Sequence, residues 1–186
     1  MDVLNHIRKP ERRTLTAKAM FHTAVILSLG LSSGVIIKLF DIYTANLGNV
    51  FSQISVWFFL CTILSVYSST AKRAAVNVFS FCSGMLFTYY ITAELTASVY
   101  SLAFVYGWTL FDLFSPAMGF TAWYAKGKRL ISKIISIGIV TVMLAASSVL
   151  FDKIRLSDIV FAVLTGFILL KNKDIEKKGK ESGVLE

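Results

Sequence analysis

Residues 74–93 read AAVNVFSFCSGMLFTYYITA, twenty positions without Asp, Glu, Lys or Arg, between Lys72–Arg73 and Glu94. A helix rises 1.5 Å per residue, so this stretch reaches about 30 Å, the thickness of a bilayer's hydrocarbon core. Uncharged residues also fill 19–37, 42–71, 95–111 and 134–151. A buried helix of a soluble domain rarely stays apolar all round for so long. With 55% hydrophobic residues and a mean hydropathy of +0.67, the chain reads as an integral membrane protein.

The basic residues supply the orientation. Sixteen of the nineteen Lys and Arg fall in four clusters: Arg8 to Lys18, Lys72–Arg73, Lys126 to Lys133, and Lys171 to Lys180. Each pair of neighbouring clusters is separated by enough apolar sequence to cross a bilayer twice. Cytoplasmic loops carry an excess of Lys and Arg, so the pattern predicts six spans with both termini inside. The segments placed inside hold a net +10 and the remainder −2. The overall +8 therefore follows from topology and from facing anionic lipid, and nucleic acid is not an expected partner.

The expected fold is an all-α, polytopic transmembrane bundle of six spans in the cell membrane. A basic cytoplasmic segment covers residues 1–18, the six-span domain 19–171, and a polar tail 172–186. The first stretch is long and followed by further spans, so it is read as an uncleaved helix from about Ala19 to Phe40. The loop from Asp41 to Gln53 holds the turn formers Asn46, Gly48 and Asn49. Span two covers about Ile54 to Ser69, span three about Ala74 to Ile91, and span five about Leu130 to Phe151.

Two spans are irregular. The fourth begins near Ala97 and meets Asp112 and then Ser115–Pro116. It is either one kinked span to about 124 or a span ending near Phe114 followed by a short interfacial helix. The second option fits the following Lys126–Arg129 cluster slightly better. The sixth has only residues 159–170 uncharged, and crosses if Arg155 and Lys171 extend their charged ends to the interfaces.

Ionisable groups at membrane depth are costly, which makes Asp112 the leading candidate for a binding role. At helical spacing it shares a stripe with Glu94, Ser98, Ser101, Trp108 and Ser115. Such a stripe can line a polar cavity, with Trp108 as a stacking surface and Asp112 holding a cation or proton. The competing expectation is an ion pair from Asp112 to Arg73 or Lys126. Asn77 on span three can bond across helices, while Gly30, Gly34 and Gly84 allow close helix packing. Lys38 and Asp41 are placed to pair locally, and with Glu94, Asp152, Lys153, Arg155 and Asp158 form an expected solvated outer rim.

No HExxH, GxSxG or Walker A motif occurs. Cys61 and Cys82 fall in mid-span and His6 and His22 lack metal-ligand spacing, so no metal, cofactor or enzymatic activity is expected.

The length and six-span layout resemble the substrate-binding S-components of energy-coupling-factor transporters. Where those carry paired alanines at AxxxA spacing, this chain has Gly30 and Gly34. The stretch Ser69–Asn77, with Gly84–Met85 and Tyr89–Tyr90, also looks like small bacterial six-span membrane proteins of no assigned activity. The first resemblance implies a transport or solute-binding membrane subunit whose ligand is a small molecule. The alternative is an interaction or assembly protein packing through its small-residue faces against itself or a membrane partner.

Overall fold

The computed structural model describes residues 7–8, 16–44, 50–51, 53–98, 100–127 and 129–170. Among them are six helices of thirteen residues or more: α1 Thr16–Tyr43, α2 Ile54–Val66, α3 Ala71–Leu95, α4 Leu102–Ala125, α5 Leu130–Phe151 and α6 Leu156–Leu170. The protein is all-α. Ala19–Tyr43, Ala71–Leu95 and Leu130–Val149 are long and apolar enough to cross a membrane. At 1.5 Å per residue, the 13-residue α2 and 15-residue α6 reach about 20 and 22 Å. The expectations for the polar tail, and for the turn at Asn46, Gly48 and Asn49, lie outside the described residues.

Helix α4 corrects the reading of the fourth span. It starts at Leu102, after a turn in which Ala97 takes a left-handed conformation (φ 48°), and runs through Pro116 without interruption. Pro116 removes one intrahelical bond, the one its N–H would give to the Asp112 carbonyl. Ending the helix at Phe114 would instead free about four carbonyls, each costly in apolar surroundings. Continuing is the cheaper solution.

Side-chain contacts fix the relative directions. Parallel α1 and α3 are linked from Thr23 Oγ1 donating to Asn77 Oδ1 (2.8 Å) to Tyr89 OH donating to Asp41 (3.2 Å). Ser83 meets Asp112 in antiparallel α3 and α4, Ser55 meets Asp158 in parallel α2 and α6, and Ser136 Oγ reaches Ala125 O between α4 and α5. The six helices alternate in direction. Arg8, Lys72–Arg73 and the Lys126–Lys133 cluster consequently stand at one end, called here the basic end.

That end also collects the C-termini of α2, α4 and α6, where the helix dipole presents partial negative charge. Arg8 donates to the carbonyls of Val66 (3.0 Å) and Trp123 (2.8 Å) and stacks 4.2 Å from the Trp123 ring centroid. Lys126 Nζ donates to Ile168 O. Trp123 Nε1 donates to Ser68 O at 2.8 Å. The basic residues therefore close helix ends as well as carrying charge.

The closest helix pair is α1 with α3. A Cβ at Gly30 would overlap the Phe81 carbonyl, one at Gly34 the Met85 carbonyl, and one at Gly84 would lie 3.0 Å from the Leu27 side chain. Thr88 Oγ1 donates to Leu31 O at 2.7 Å across this contact. The glycine face is thus turned inward, against the chain's own α3. The core continues through Trp57, Cys61, Val78, Phe81, Cys82 and Met85. Cys61 and Cys82, from different helices, bring their Sγ atoms to 3.5 Å.

Candidate functional site

Helices α3 and α4 touch near the basic end and part towards the other. Near the basic end Gly119 lets α4 approach so closely that a Cβ there would lie 2.9 Å from Ala74 O. Beyond Ser83 the two helices enclose a groove of about 510 Å³, lined by Ser83, Leu86, Phe87, Tyr90, Glu94 and Asp112 among others. From Ser83 to Leu95 the groove follows about 18 Å of α3.

Asp112 sits in the wall of this groove. Its Oδ2 accepts the Ser83 hydroxyl at 2.8 Å, while Oδ1 is buried and has no hydrogen-bond partner. Its backbone carbonyl is the one that Pro116 cannot serve. The Ser115 hydroxyl, one turn on, is also buried without a partner. A carboxylate oxygen without a donor in an apolar wall is expensive, and a bound cation or proton relieves that cost. Neither Arg73 nor Lys126 takes this role; the described partner of Asp112 is Ser83.

The other sequence candidates are distributed differently. Glu94 stands exposed at the far end of the groove and accepts the Tyr100 hydroxyl. That bond raises the Tyr100 phenol above its ordinary pKa, with smaller contributions from burial and the Glu94 charge. Trp108 faces away from the groove, edge-on to Trp57 (6.0 Å) and Phe111 (5.7 Å). Ser101 precedes α4 as its exposed N-cap, with no side-chain cap bond. Asn77 lies towards the basic end, donating to Ser68 Oγ (3.0 Å) and accepting from Thr23. The structure thus brings Asp112 and Glu94 together and leaves Trp108, Ser101 and Asn77 elsewhere. The supposed stripe assumed one helical phase, which the turn between Leu95 and Leu102 breaks.

The charged rim needs a second correction. Lys38 is only 1% exposed; it pairs with Asp41 (2.8 Å) and lies 5.0 Å from the Tyr89 ring. Asp158 is 2% exposed, and accepts Ser55 Oγ (2.6 Å), Ser147 Oγ (3.2 Å) and the Arg155 backbone N–H (2.8 Å). Beside it Ser157 Oγ donates to Gln53 Oε1 at 2.6 Å. Both groups are tied into helix contacts, whereas Glu94, Asp152 and Lys153 are exposed. Among the described residues, no three His, Cys, Asp or Glu side chains converge as metal ligands.

No protein-family model matches the chain, and no significant match is found among curated proteins or solved structures.

Proposed function

We propose that this chain is a six-span membrane protein with both termini cytoplasmic, binding a small cationic solute in the α3–α4 groove as a solute-binding or transport subunit. The alternating helix directions support six crossings, and the gathering of basic clusters at one end supports the cytoplasmic assignment. The short α2 and α6 can cross with local thinning of the bilayer or with terminal residues reaching the interfaces. The S-component resemblance of the layout agrees with this role.

The observation that carries the binding proposal is the unpartnered, buried Oδ1 of Asp112 beside an open groove. Glu94 at the far end adds a second negative charge that attracts cations to the entrance. The assembly-protein alternative lacks an available glycine face, because Gly30 and Gly34 already press on α3.

Thermal unfolding of the purified protein against K⁺, Na⁺, Mg²⁺ and alkylammonium ions tests the proposal. At least one cation should stabilise the native protein and fail to stabilise a folded Asp112→Asn variant. No cation-dependent shift, or an equal shift in the variant, overturns the proposal.

A further inference from the structure

Behind the groove lies a smaller space of about 30 Å³, lined by Phe51, Trp57, Tyr89, Tyr90 and Trp108 with apolar neighbours. Leu86 and Tyr90 line both spaces, so their side chains form the shared wall. Tyr90 is half-buried and packs edge-on to Tyr89 with ring centroids 5.3 Å apart. A single carboxylate thus stands at one side of a mostly apolar groove, and an aromatic cluster begins at the opposite wall.

The ligand chemistry follows from the number of oxygens. A hard metal ion stripped of water takes about six or more oxygen ligands. Around Asp112 the described atoms offer its two carboxylate oxygens, the Ser83 hydroxyl and the Asp112 carbonyl left by Pro116, too few for that shell. Leu86, Phe87, Ile91 and Leu95 make the remaining wall apolar. An alkylated ammonium is weakly hydrated, needs no oxygen shell, and gains from apolar contact and aromatic faces. A groove of this size suits an organic ligand.

We propose that the α3–α4 groove selects an amphiphilic organic ammonium ion, its charged nitrogen against Asp112 and its apolar substituents against Phe87, Ile91 and the Tyr90 ring. This rests on the reading of Asp112 as the binding group and adds the class of ligand. Tyr90 is the specificity element, since its ring is the aromatic face that the groove and the inner cluster share. The ammonium can belong to a free amphiphile or to a lipid headgroup; the chemistry at Asp112 is the same.

Binding of tetrapropylammonium to the full chain in nanodiscs of phosphatidylglycerol, followed by isothermal calorimetry, is the test. Asp112→Asn should weaken binding at least tenfold. Tyr90→Leu should weaken it about tenfold, as expected for a lost cation–π contact, while Tyr90→Phe retains it. Retention of binding in nanodiscs rich in phosphatidylethanolamine assigns the site to free ammonium ions; competition by that lipid assigns it to headgroups, and both uphold the ammonium class. Asp112-dependent binding of Na⁺ or K⁺ without tetrapropylammonium overturns the class but leaves Asp112 as the binding group. Absence of any Asp112-dependent cation binding removes both.

Discussion

Ser55 on α2 donates its hydroxyl to Asp158 on α6 at 2.6 Å, across 103 positions of sequence. The same carboxylate accepts Ser147 from α5 and the Arg155 backbone N–H, which caps the start of α6. One side chain therefore joins three helices at the end opposite the basic clusters. Asp158→Ala should strand these donors in a buried place, at roughly 1–3 kcal/mol for a buried unsatisfied group. Thermal unfolding in detergent should show a clear loss for Asp158→Ala and a smaller one for Asp158→Asn, which keeps an acceptor. Equal stability of Asp158→Ala and the native chain would refute the clamp.

The α1–α3 contact predicts opposite signs for two glycine substitutions. Gly34→Ala places a methyl group on the Met85 carbonyl, so the helices must separate, at about 1–3 kcal/mol for overpacking. At Gly138 a Cβ meets nothing within 4 Å, and Ala should stabilise by up to about 1 kcal/mol through helix propensity. Thermal unfolding of both variants decides the matter. A neutral Gly34→Ala would show that the close approach is not needed.

At the basic end, Arg8→Ala removes two charge-assisted bonds to the Val66 and Trp123 carbonyls and the stacking on Trp123. A loss of about 2 kcal/mol is expected, from the usual worth of hydrogen bonds to charged groups. Arg8→Lys should recover only part, because an ammonium cannot present the planar fork that reaches two carbonyls while stacking. Unfolding monitored by tryptophan emission measures it, and an unchanged midpoint in Arg8→Ala would contradict the capping role.

These residues mark what the sequence could disclose. Long uncharged stretches are legible as helices because their length matches the bilayer and no other fold buries them so readily. Asp112 stood out as a charge within an apolar run. Ser83 did not, since serine is common in this chain and only its distance from Asp112 distinguishes it. Lys38 and Asp158 looked like rim charges because burial depends on Tyr89 and on Ser55 and Ser147, which are remote in sequence. Pro116 was weighed as a helix breaker, yet an apolar environment makes breaking costlier than losing one bond.

The central claim is that Asp112, unlike the other buried aspartate, offers a free oxygen to an open groove. An apolar carbodiimide, which modifies carboxyl groups from within the membrane, tests it directly when labelled peptides are identified by mass spectrometry. Asp112 should be modified, and tetrapropylammonium should protect it. Asp158, with both oxygens engaged, should stay unlabelled. Labelling of Asp158 with Asp112 untouched would contradict the account.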